Sequence, residues 1–123
     1  MRAVTSAAAA AILGIERKAF DNLIARIGPG EFPKGRQGID RRIPVASLAA
    51  LRLAHEFSLE LAIPIGPAFQ LARSLEAGEP ASGVHFELRA DFPALRKAID
   101  RDLAQVVETL VRRRRGRPPR ARR

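Results

Sequence analysis

The chain has no cysteine, tryptophan or tyrosine, and one methionine in 123 residues. Without cysteine there is neither a disulfide framework nor a thiolate metal site, a composition that suits a reducing cytoplasm. Six phenylalanines are the only aromatics, so the core has to be small-residue helical packing. Two histidines, His55 and His85, leave no credible metal cluster. No apolar run approaches the roughly 20 residues that cross a bilayer. Gly28-Pro29-Gly30 is a turn and not a phosphate cradle, because no lysine-serine pair follows it. Ser6, Ser47, Ser58, Ser74 and Ser82 have no histidine-acid partners at a spacing that supports nucleophilic catalysis. The expectation is a protein without catalytic residues, metal or cofactor.

Charge is present, but unevenly. The formal net charge is +9, and the last twelve residues, "RRRRGRPPRARR", hold eight arginines and no acid. Residues 1–111 therefore carry only +1. A block of like charge beside Gly and Pro cannot bury itself and is expected to stay disordered until it meets a polyanion. The bland alternative is a solubilising tail, although acids serve solubility better than arginines do. With 46% hydrophobic residues, the remaining length suits one domain.

"TSAAAAAILGIERKAFDNLIARIG", Thr5 to Gly28, could be taken for a secretion signal. Arg2 is a thin basic region, however, and charges at Glu16, Arg17 and Lys18 follow within a continuing helical pattern. Thr5 or Ser6 can cap a first helix to about Leu13, and Gly14 can turn the corner. A second helix then runs from about Glu16 to Ile27, with Phe20, Leu23, Ile24 and Ile27 at helical spacing. Gly28 to Gly38 is rich in turn residues, and "IDRRIP" predicts a short strand with Ile39 and Ile43 on one side. Helices follow over about Val45–Ser58 and Pro67–Leu75. Residues 77–83 form a linker by composition. "VHFELR" alternates as a single short strand from Val84 to Leu88. Asp91 caps a last helix whose Leu95, Ile99, Leu103, Val106 and Leu110 form one stripe, with Pro93 in its first turn. Asp100, Asp102 and Glu108 fall on its polar face beside arginines, as ion-paired charges.

Ala10, a small residue, allows two helices to approach, and the glycine corner comes four residues later. Ala9, Leu13, Ile15, Phe20 and Leu23 supply the inward apolar positions. That spacing is the helix-turn-helix pattern, whose second helix enters the major groove. Residues 5–75 resemble the winged helix-turn-helix DNA-binding domains of the MerR and excisionase type. The resemblance rests on the bihelical unit, a glycine- and arginine-bearing wing from Gly35 to Ile43, and the helix pair "VASLAALRLAHEF" and "PAFQLARSL". It departs from the family where Glu16 replaces the usual Ser or Thr cap. The usual aromatic pair of the recognition helix, the long dimerising coiled coil and the effector domain are also missing. An ordinary small helical domain remains the competing reading.

The resemblance implies a mostly α fold: a winged helix-turn-helix with a small β-hairpin wing over residues 1–76, one short extra strand and a C-terminal helix. It implies that Arg17 and Lys18 reach base edges or phosphates and that Asn22 pairs with an adenine. Asp21 would accept from a cytosine amino group or else balance its basic neighbours. Lys34, Arg36, Arg41 and Arg42 would grip the backbone from the wing. In the tail, residues 112–123, Arg115-Gly116-Arg117-Pro118 looks like the core of an AT-hook, an extended segment lying in A·T-rich minor groove. Chance in an arginine-rich run competes with that reading.

The expected function is sequence-recognising binding of double-stranded DNA by a cytoplasmic, nucleoid-associated regulator or architectural factor. A homodimer built on residues 84–111 is expected, since a lone strand and an apolar stripe call for a partner. No membrane association is expected. Two alternatives stay open: an RNA- or ribosome-associated protein using the arginine arm, and a DNA-packaging or partition adaptor.

Overall fold

A computed structural model describes residues 2–28, 30–32 and 41–116, with side chains in the last helix as far as Val106. The chain forms β1 (Ala3–Thr5), α1 (Ser6–Leu13), α2 (Arg17–Ile27), β2 (Arg42–Pro44), α3 (Leu48–Leu61), α4 (Ile65–Glu76), β3 (Ala81–Ser82), β4 (Glu87–Leu88) and α5 (Phe92–Gly116). A single 3-10 turn, Val45–Ser47, leads into α3. The fold is mostly helical, with two small antiparallel sheets among the described residues.

Local chemistry sets the helix ends. The Thr5 Oγ1 accepts from the Ala8 amide at 3.2 Å, so the threonine caps α1. At the other end Gly14 adopts φ 76°. Its amide donates to Ala11 O at 3.1 Å, and the Ile15 amide donates to Ala10 O at 3.0 Å. These two bonds satisfy carbonyls the helix leaves over, and they require a left-handed residue between them. No neighbouring atom fills the space a Cβ would occupy at Gly14. The expected cost of Gly14→Ala is therefore backbone strain alone, about 1–2 kcal/mol, measurable as a lower urea midpoint with an unchanged slope. An unchanged midpoint would mean that the corner does not hold this geometry in solution.

β1 pairs with β2 in the register Ala3 to Pro44, Val4 to Ile43 and Thr5 to Arg42. The Val45 amide extends the pairing by donating to Arg2 O at 3.0 Å. Arg42–Pro44, the end of the segment expected to form a hairpin wing, thus pairs with the strand that enters α1, and residues 33–40 lie outside the described residues. Ile43 is fully buried, as its place in "IDRRIP" predicts; Ile39 lies outside the described residues.

α3 and α4 pack against each other, and Leu51, Ala54, Phe57, Ala68, Phe69 and Ala72 are buried in the core they share. Three of the six are alanines, whose small side chains allow helices to approach closely, which answers the shortage of aromatics. Phe32 packs edge-on against Phe69 with ring centroids 5.5 Å apart. α4 begins at Ile65, two residues before Pro67. Pro67 falls within its first turn, where a missing amide donor leaves no helical bond unmade.

Two expectations about the C-terminal third are corrected. Val84–Leu88 is not a lone strand. Ala81 pairs with Leu88 and Ser82 with Glu87, so the segment called a linker forms a hairpin with the segment called a strand. Val84 and Phe86 sit in its loop, 93% and 60% exposed, and His85 is exposed beside them. Alternation alone could not distinguish a strand from a hairpin loop, because it says nothing about where the backbone finds a partner. The strand's backbone needs no second molecule.

The second correction concerns the stripe of α5. Ile99 and Leu103 are buried and belong to the same apolar cluster as Ala9, Leu13, Leu51 and Phe57. α1 and α3 cover that face within the chain. Ile99 and Leu103 therefore need no second molecule to cover them, and they share one apolar cluster with residues of α1 and α3; Leu110 lies outside the residues whose side chains are described. Asp91 caps α5 as expected, its Oδ1 accepting from the Ala94 amide at 3.1 Å. An ion pair joins α5 to α3: the Arg52 guanidinium donates to Asp102 Oδ2 at 2.7 Å, both side chains being partly buried. α5 continues past Val111 to Gly116.

Candidate nucleic-acid interface

The residues expected to contact DNA fall on α2, on the wing and in the tail. α2 is amphipathic. Phe20, Leu23 and Ile24 are buried and Ile27 partly so, and this face packs against α1 and α4. At roughly 100° per residue, the opposite side presents Lys18, Asn22 and Ala25. All three are exposed, as are the flanking Arg17 and Arg26. The Gly14 corner produces this arrangement by turning the chain back after α1, so that the apolar half of α2 meets the core and its polar half faces outward.

Asp21 is half-exposed, and its carboxylate lies 3.9 Å from Arg17 Nε, one turn earlier. The pair places a negative charge next to the basic one on the side of α2 and leaves Lys18, Asn22 and Ala25 outermost. Glu16 precedes α2 with extended backbone and no side-chain capping bond. Its backbone O accepts from the Phe20 amide at 2.9 Å, which starts the helix. Arg26 was not singled out in the sequence. It lies one turn after Asn22 and in the last turn of α2, where a cation suits the helix dipole. Helical spacing places Arg26 off the apolar stripe that ends at Ile27.

Arg42, expected in the wing, is exposed at the start of β2, in register with the capping Thr5. Arg41 is partly buried just before it. Both flank the N-terminal end of α1 through the β1–β2 pairing. Lys34 and Arg36 lie outside the described residues. In the tail segment, the backbone of Arg115 and Gly116 is the end of α5, whereas Arg117 and Pro118 lie outside the described residues. An AT-hook core is extended along its length, so engagement of a minor groove by this segment entails unwinding the last turn of α5.

Among the described residues no group of three or more His, Cys, Asp or Glu could hold a metal ion. No helix among them is long and apolar enough to cross a membrane. Shallow depressions do occur. One of about 400 Å3 lies between the end of α3 and the start of α5, over Phe57, Leu61 and Leu95, with Glu56, Glu60 and Asp91 around it. No protein-family model, curated protein sequence or solved structure matches this chain.

Proposed function

We propose that the protein binds double-stranded DNA as a winged helix-turn-helix module, with α2 in the major groove and the wing arginines on the flanking backbone. The observation that carries this reading is the outward face of α2: Lys18, Asn22 and Ala25 exposed, with Arg17 and Arg26 beside them, directly opposite the buried Phe20, Leu23 and Ile24. A cationic and amide-bearing helix face, with no large apolar side chain on it, is chemically suited to phosphates and base edges. The pairing of Thr5 with Arg42 supports the same reading, because it sets a wing cation beside the helix pair. The eight tail arginines add affinity that does not depend on base sequence. The module acts in the cytoplasm on the nucleoid, and no catalytic step is assigned to it.

The test is selection of bound fragments from genomic DNA, followed by anisotropy titration of a selected duplex, a scrambled duplex and a structured RNA. Preference for the selected duplex supports the proposal; preference for the RNA assigns the basic surface to an RNA partner. Lys18→Glu should weaken duplex binding at least about tenfold and lower the salt slope by about one, while leaving the circular dichroism spectrum unchanged. Binding insensitive to Lys18→Glu would remove α2 from the interface.

A further inference from the structure

Not every exposed position on α2 is equally placed to meet a base, and the differences assign the positions that determine specificity. We infer that Asn22 and Ala25 form the base-reading pair of this helix: Asn22 reads an adenine, and the methyl group of Ala25 reads the 5-methyl group of a thymine at a neighbouring base pair. The inference rests on the DNA-binding reading of α2 and deepens it.

Four observations carry it. Asn22 and Ala25 both lie on the side of α2 diametrically opposite the buried Phe20, Leu23 and Ile24, so they project furthest from the body. They are three residues apart, about 4.5 Å along the helix axis, so their side chains can reach neighbouring base pairs, which lie roughly 3.4 Å apart. Asp21, the other side chain here able to read a base edge by accepting, lies 3.9 Å from Arg17 Nε and is half-exposed. It is turned to the flank, and its charge is matched within the helix. Finally, Ala25 sits in the middle of an exposed polar stripe, between Asn22 and Arg26. A longer side chain there would hold the helix away from the groove floor, whereas a methyl allows Asn22 to reach it.

The chemistry of each contact is specific. An asparagine amide donates to adenine N7 and accepts from its N6 amino group, a pattern no other base presents in the major groove. Thymine alone carries a methyl group at the groove surface, and alanine offers an apolar contact of matching size. Lys18 and Arg26, with mobile cationic heads at the two ends of this stripe, act on the phosphates on either side.

The experiment pairs protein variants with single-atom changes in the DNA. Fragment selection with the full chain first supplies a duplex. Its adenines are replaced one at a time by 7-deazaadenine and its thymines by uracil, and affinity is measured for the wild type, Asn22→Ala and Ala25→Gly. One 7-deazaadenine position should weaken wild-type binding about tenfold and have no further effect on Asn22→Ala. A uracil at an adjacent base pair should weaken wild-type binding about fourfold, the value of one buried methyl, with no further effect on Ala25→Gly. Circular dichroism and a thermal melt establish that both variants are folded. Fully additive losses for every base, with the same selected sequence recovered by both variants, overturn the pair assignment while the DNA-binding reading stands. Failure of the full chain to select any sequence overturns both.

Discussion

Removal of residues 112–123 is expected to lower affinity for an arbitrary duplex by about 10^4-fold at roughly 0.15 M salt. The magnitude follows from counterion release: if about six of the tail arginines meet phosphates, log K against log salt has a slope near −5 from them alone. The truncation removes eight of the 22 basic residues and leaves residues 1–111 with a net charge of +1. It leaves the packing intact, because Phe92, Ile99 and Leu103, which anchor α5, all precede the cut. A titration series in salt is the measurement. A truncated chain that keeps the full slope would place the polyanion contacts on the folded body. A truncated chain that loses the slope but still selects the same fragments separates the two contributions: the arm supplies affinity, and α2 supplies discrimination.

The second large effect concerns the chain's cohesion. Leu103→Ala is expected to lower stability by about 2–5 kcal/mol and to unfold α1 and α2 together with α5 in one transition. Leu103 is buried in the cluster that also contains Ala9 and Leu13 of α1 and Leu51 of α3. Deleting three of its heavy atoms leaves a cavity against the scaffold that α2 also packs on. Calorimetry or denaturant titration followed at two wavelengths checks this. If residues 84–111 were an independent element, the variant would show a second transition, with the N-terminal part melting at its original temperature. A single transition shifted downward by several degrees per kcal/mol would identify one cooperative core.

The corner between α1 and α2 was legible because it depends on contacts within about twenty residues. A capping threonine, a small residue at Ala10, a left-handed glycine at Gly14 and an apolar period in α2 each have one low-energy local arrangement. Ile43 was legible for the same reason, as an inward-facing residue in a short strand. The outward placement of Lys18 and Asn22 followed from the inward placement of Phe20 and Leu23. Arg26 and Ala25 share that exposed face, but spacing alone gave no reason to prefer them to any other surface residue.

The C-terminal third resisted the same treatment. The alternation from Val84 to Leu88 was real, yet Val84 and Phe86 are exposed, because Ala81 and Ser82 lie close enough to close a hairpin on Glu87 and Leu88. The α5 stripe was also real as far as Val106, with Ile99 and Leu103 buried and Leu95 and Val106 partly so. Periodicity cannot name what covers that face; in this chain α1 and α3 pack against it.

By itself, then, the sequence determined the helices, the Thr5 and Asp91 caps, the corner at Gly14, the half of α2 that faces outward and the concentration of positive charge in the last twelve residues. Only the tertiary structure decided that β1 fastens β2 beside the helix pair, that the hairpin closes on itself, and that α5 completes the core of α1 and α3. The division has a physical cause. Caps, turns and amphipathic period are set by neighbours along the chain, whereas the choice of partner for an apolar face depends on which surfaces distant in sequence are brought within contact, and burial is non-directional.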